Sequence, residues 1–216
     1  MAIYATIIQN STACANLMSR ATFSSIPILI RANFEALVDL KNSIENDKYY
    51  KLLHSTFLKQ KRKFLKSKVQ RGNEKPGPKS EELKNFEEEY IQIKDEVKRY
   101  EEDGFAPLRI KDKFELWESL EDYETTYAAF SLEIHNDLSV LEKKHIVHNE
   151  QRNPNVEIFK ERDELDKEMF LSSSIGILHL ATKEMVEFLR QKNNEVVSDL
   201  LKRFEKLQGS IKEVQI

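Results

Sequence analysis

Residues 26–38 read Ile26-Pro-Ile-Leu-Ile-Arg-Ala-Asn-Phe-Glu-Ala-Leu-Val38, and Ile26, Ile30, Phe34, Leu37 and Val38 recur every three or four positions. That period lines one face of a helix, because side chains three and four apart stack on the same side of an α-helix. The same spacing continues along most of the chain and predicts helices at about 2–20, 22–46, 47–71, 80–103, 112–144, 161–192 and 193–213. With only 5 Gly and 5 Pro in 216 residues, the chain lacks the turn residues that an all-β or doubly wound fold needs. The expected fold is all-α, an antiparallel helical bundle with a protruding long helical hairpin, built as one domain over residues 1–216.

The hairpin is expected over about residues 47–103. Gly72-Asn-Glu-Lys-Pro-Gly-Pro-Lys is the clearest loop, since its two prolines lack amide donors. Before it comes a basic run, Lys59, Lys61, Arg62, Lys63, Lys66, Lys68 and Arg71; after it, residues 81–103 carry an acidic excess. Folded back on each other, two such helices attract along their length, though each exposed pair contributes little. Asp47 and Ser80 precede helical runs and are expected N-caps, while Gly72 and Gly104 are expected helix stops. Residues 145–160 break the helical period and read as a crossover loop, with an extended piece at Val156-Glu-Ile-Phe159.

Other features bound the class. The net charge of −3 favours neither nucleic acid nor an anionic membrane as a global partner. The longest apolar candidate for a membrane span, residues 169–189, is interrupted by Ser172, Ser173, Ser174, His179, Lys183 and Glu184, so no membrane partner is expected. A single cysteine, Cys14, cannot form an internal disulfide, and no signal-like segment opens the chain, so the expected location is the cytoplasm. Glycine-rich phosphate loops, nucleophile elbows, kinase signatures and paired-cysteine knuckles are missing from the sequence, and no cofactor is expected.

The polar residues worth weighing sit on helical faces. Tyr123, Tyr127, Ser131 and His135 follow at spacings of four, beside an expected apolar stripe of Trp117, Leu120, Ile134, Leu138 and Leu141. Arg31 and Glu35 lie one turn apart within the opening stretch. If the two helices pack, these residues form one cluster holding a cation, an acid, hydroxyls and an imidazole. Arg offers a planar fork to phosphate oxygens and His moves a proton near neutral pH, which suits phosphate or nucleotide chemistry. The competing reading is structural, since buried charges in helical bundles pair to satisfy one another. Lys61, Arg62 and Lys63, with Phe64 beside them, are candidate contacts to nucleic acid, with the acidic helix as the competing partner.

The remaining histidines carry weaker readings. His145 and His148, with Glu142 and Glu150, have a spacing that a metal would accept, but such groupings arise readily in a charged chain, and no metal site is expected. His54 reads as an edge-of-core residue, His179 as a satisfied core histidine and Cys14 as a buried inert thiol.

The stretch Ile28-Leu-Ile-Arg-Ala-Asn-Phe-Glu-Ala-Leu-Val-Asp-Leu-Lys41, followed by Tyr127-Ala-Ala-Phe-Ser-Leu-Glu-Ile-His135 and Leu138-Ser-Val-Leu-Glu-Lys-Lys-His145, resembles a group of bacterial helical proteins of unassigned function. That group carries an Arg-x-x-x-Glu helix and a later Tyr-x-x-x-Ser-x-x-x-His helix, and it is distantly similar to the HEPN superfamily. The resemblance implies a dimeric helical protein that binds or cleaves RNA or a nucleotide without a metal, in a toxin–antitoxin or phage-defence setting. It also implies His135, Arg31 and Ser131 as catalytic residues, with Glu35 and Tyr127 binding ligand. One feature departs from HEPN ribonucleases: no histidine here follows an arginine by four to six residues. The alternative is a non-catalytic helical module that binds a partner protein or a second copy of the chain.

Overall fold

Helical periodicity becomes helix almost throughout. The computed structural model describes residues 1–74, 80–134, 138–149, 153–157 and 162–191, and it is all-α apart from one two-stranded sheet. The described residues fall into two compact units, one of residues 1–44 with those from Ser119 onward, the other Glu45–Glu118. The helix expected at 193–213 lies outside the described residues, as do His135 and Glu150.

In the first unit, α1 (Ala2–Ser19) buries Ile7 and Cys14, and α2 (Ile26–Glu45) buries Ile26, Ile30, Leu37 and Val38, all removed from solvent. The period read from residues 26–38 is therefore the core face itself. Asn33 interrupts it, buried to 1% exposure, and donates from Nδ2 to Ser11 Oγ at 3.0 Å. α9 (Glu164–Gln191) completes this layer: Tyr4 and Thr182 share a hydroxyl contact of 3.0 Å, and Lys41 donates to Glu184 at 2.8 Å. Phe170 and Ala181 of α9 are buried in it. His179 faces solvent on α9, so it is not the core histidine expected.

The helix expected over 112–144 is instead a series of pieces. α5 (Ile110–Leu116) stops at Glu118, whose φ of +53° lies in the left-handed region. A β-carbon makes that conformation costly, and no glycine advertises the break. The chain then re-enters helix as α6 (Leu120–Asp122), a π-helical turn (Tyr123–Tyr127) and α7 (Ala128–Ile134), and later α8 (Leu138–His145). These breaks rotate the faces, so the expected stripe does not hold: Leu120 and Leu138 are exposed, and Phe114, Phe130 and Val140 are the buried apolar side chains. After α8 come β1 (Ile146–His148) and β2 (Pro154–Val156), which pair antiparallel with Val147 opposite Asn155. β2 thus shares only Val156 with the expected extended piece, of which Ile158 and Phe159 lie outside the described residues, and Pro154 stands at the first position of the strand, where its missing amide is tolerated.

The second unit contains the expected hairpin. α3 (Tyr49–Asn73) and α4 (Glu81–Glu102) run antiparallel around Leu58, Leu65, Ile93 and Val97. Opposite charges meet across them, with Lys61 Nζ 2.6 Å from Glu89. Ser80 caps α4 as expected, accepting from Leu83 N at 3.2 Å. Asp47 does not cap α3; Asn46 accepts from Lys48 N at 2.9 Å and turns the chain instead. Gly72 lies inside the last turn of α3 rather than beyond it, where a β-carbon would collide with the Leu83 side chain. A larger residue at 72 would require the Leu83 side chain to shift, so this glycine lets Leu83 lie against the α3 backbone rather than stopping the helix.

Candidate functional site

Arg31 and Glu35 face outward from the edge of the α2 core stripe, and the π-helical turn brings Tyr127 to them. A π-turn widens the local helix and recurs at functional sites. Here it stacks the Tyr123 and Tyr127 rings, with centroids 5.3 Å apart and planes at 17°. The Tyr127 hydroxyl donates to Glu35 Oε1 at 2.8 Å, while Arg31 Nε donates to the same hydroxyl at 3.0 Å and to Glu35 Oε1 at 3.2 Å. The guanidinium carbon also lies 5.0 Å from the Tyr127 ring centroid, within cation–π range.

This closed triangle fixes Arg31 through one edge only. Neither terminal guanidinium nitrogen hydrogen-bonds another described residue, and the side chain keeps 29% of its surface in solvent. Tyr127 is its buried anchor. Burial, then the Glu35 hydrogen bond and charge, push the phenol above its ordinary pKa, while Arg31 pulls the other way. The hydroxyl therefore stays protonated and serves as a donor.

Ser131 does not join the triangle. Its hydroxyl donates to the Tyr127 carbonyl one turn back at 2.7 Å. Lys61 is paired with Glu89, whereas Arg62 and Lys63 make no ion pair among the described residues; all three belong to the Glu45–Glu118 unit. His54 is 43% exposed at its side chain, with Nε2 3.5 Å from Glu96, and so is more solvated than its edge-of-core reading. His145 and His148 do not converge on one point: His145 Nδ1 contacts the Glu157 carbonyl at 3.3 Å and His148 lies 3.6 Å from Glu142. Among the described residues no three His, Cys, Asp or Glu side chains form a metal-holding group. Cys14 is a buried thiol, its pKa raised by desolvation.

Sequence reasoning missed a second polar cluster in the same unit. Arg162 donates to Glu133 Oε2 and to Asp166 Oδ2, each at 3.0 Å, and Lys143 reaches Asp166 Oδ1 at 2.7 Å. Lys144 Nζ donates to the Glu133 carbonyl, and burial lowers its pKa, followed by an opposing pull from Glu133. The Arg162 and Asp166 side chains keep 5% and 8% of their surface. Three cations and two carboxylates thus satisfy one another, tying α7, α8 and α9 together. The one local signal was Asp163, which caps α9 by accepting from Asp166 N at 2.7 Å.

The model of DUF5677, a family of unknown function, matches residues 1–153. The chain belongs to that family. The match takes in Arg31, Glu35 and Tyr127, and no curated protein and no solved structure matches the chain. No helix among the described residues is long and apolar enough to cross a membrane.

Proposed function

We propose that this chain is a HEPN-like helical protein that binds a phosphate-bearing ligand, RNA or a nucleotide, through Arg31. The observation that carries this reading is the one-edged fixation of that side chain. Glu35 and Tyr127 hold Nε, no other described residue hydrogen-bonds the two terminal nitrogens, and the side chain keeps 29% of its surface in solvent. A guanidinium so held has already lost much of its rotamer freedom and presents parallel N–H groups to phosphate oxygens. Glu35 lowers the local positive charge, which favours reversible binding over tight capture. Binding comes first in this proposal. Cleavage would add His135 as the proton carrier, with Arg31 stabilising charge on the phosphate. A bacterial toxin or defence setting, with a cytoplasmic homodimer, belongs to the same reading.

The test is anisotropy of a labelled RNA oligonucleotide and of a labelled nucleotide with the full chain, in chelator. Arg31→Gln should weaken binding about tenfold or more, in keeping with loss of a charged hydrogen bond. Equal affinity in wild type and Arg31→Gln removes the proposal, and RNA cleavage unaffected by His135→Ala removes its catalytic extension.

A second reading, a non-catalytic protein–protein interaction module, is favoured by α9. Leu171 and Ile175, one turn apart on it, are 50% and 58% exposed. Leu171→Ser with Ile175→Ser should dissociate a self-associated chain in sedimentation if that reading holds, while leaving anisotropy unchanged.

A further inference from the structure

The Glu45–Glu118 unit contains a cleft unrelated to Arg31, at the open end of the α3/α4 hairpin. Its construction starts with Gly104, whose φ of +85° ends α4 in a left-handed turn. Phe105 N donates to Tyr100 O at 2.8 Å and Gly104 N to Glu101 O at 3.1 Å, the paired bonds of a Schellman motif. That motif brings Phe105 back beside Tyr100. Lys51 of α3 closes the cleft, with Nζ 4.7 Å from the Phe105 ring centroid. Lys51, Glu96, Arg99, Tyr100, Asp103 and Phe105 enclose about 240 Å³. Clefts that take drug-sized ligands run from about 300 to 1,000 Å³, so this one suits something smaller.

Its charges do not cancel by pairing. Among the described residues Lys51, Arg99 and Asp103 make no ion pair, and Glu96 has only the 3.5 Å contact with His54. Lys51 instead lies on an aromatic face, although two carboxylates line the same cleft. A purely anionic ligand would meet those two carboxylates, and a purely cationic one would meet Lys51 and Arg99. A molecule carrying both charges a short distance apart meets neither penalty, and the two aromatic rings supply an apolar wall.

We propose that this cleft binds a free α-amino acid with an apolar side chain. Its carboxylate faces Lys51 and Arg99, its ammonium faces Glu96 and Asp103, and its side chain lies against Tyr100 and Phe105. The proposal is independent of the phosphate reading, because it uses residues of the other unit only.

The experiment is an amide-resolved titration of the isotope-labelled full chain with L-phenylalanine and L-leucine, beside N-acetyl-L-phenylalanine, L-phenylalaninamide and inorganic phosphate. Saturable shifts are expected at Lys51 and at Arg99 to Phe105, with about tenfold weaker binding of either blocked analogue and no matching shifts from phosphate. Lys51→Met and Glu96→Gln should each weaken the free amino acids about tenfold, and thermal melting reports whether these variants fold. If neither folds, the blocked analogues on the unaltered chain decide alone. Shifts that fail to saturate, equal binding of the blocked analogues, unaltered binding by folded variants, or equal shifts from phosphate would each overturn the proposal.

Discussion

Arg162 Nη2 stands 3.0 Å from Glu133 Oε2, joining positions 29 residues apart, and both side chains are nearly sealed from water at 5% and 12% exposure. Glu133 and Asp166 together receive Arg162, Lys143 and Lys144, so removing the guanidinium takes the most buried cation from both carboxylates and leaves them only Lys143 and Lys144. Breaking a buried pair from one side costs roughly 3–5 kcal/mol, much more than an exposed pair is worth. With lysines still on both carboxylates, Arg162→Met should lower the urea midpoint by a stability loss below that full cost, about 2–3 kcal/mol. A loss under about 1 kcal/mol would mean that water already reaches the cluster.

Gly104 gives a prediction free of packing effects. A β-carbon there would touch nothing within 4 Å, so the cost of Gly104→Ala is the left-handed backbone alone, about 1–2 kcal/mol. Gly104→Asn should cost less, because Asn tolerates that region through local hydrogen bonds. Chemical denaturation of the three proteins should rank them Gly, Asn, Ala in falling stability.

The hairpin and the Arg31–Glu35 pair were legible because their signals are local. Charge blocks on either side of the Pro76-Gly-Pro78 sequence define antiparallel partners, and a spacing of four places Arg31 against Glu35 on any helix. Helical spacing also points to Tyr127 as their neighbour, yet the π-helical turn that aligns it leaves no mark in the sequence. The break at Glu118 was hidden as well, since a glutamate held at positive φ by its surroundings looks like any helix former. The Glu133–Arg162–Asp166 cluster was out of reach for another reason. In a chain of which 33% is charged, buried ions use the same residue types as the solvated surface, and only tertiary contact separates them.

Tyr127 links the candidate site to alkaline stability. Its folded pKa is raised above the unfolded phenol value near 10, so its contribution is fully present below that value and is lost as pH climbs through the folded pKa. Tyr127→Phe should remove this part of the alkaline decline. At neutral pH it should cost about 1–3 kcal/mol, because Glu35 and Arg31 Nε lose a shared partner. Melting curves of both proteins from neutral pH to above 10 test this; parallel curves would show that the phenol feels no burial.

Asn33 supplies the sharpest acid-range test. Its side-chain amide is 1% exposed, donates to Ser11 Oγ at 3.0 Å and to the Ile7 carbonyl at 3.4 Å, and leaves Oδ1 buried with no hydrogen-bond partner among the described residues. Asn33→Asp replaces the donor by an oxygen facing the Ile7 carbonyl, at a position with no cation bonded to it. Desolvation should raise the folded pKa of the new carboxyl well above its unfolded value near 3.9. A raised pKa means that stability is retained below about pH 3.9 and falls as pH rises toward the folded value, by about 1.4 kcal/mol for each pH unit that separates the two. The variant should thus lie close to wild type near pH 4 and well below it at pH 7. An equal deficit at both would mean that water or a rearranged neighbour solvates the charge, and that the buried face of α2 opens more readily than its packing implies.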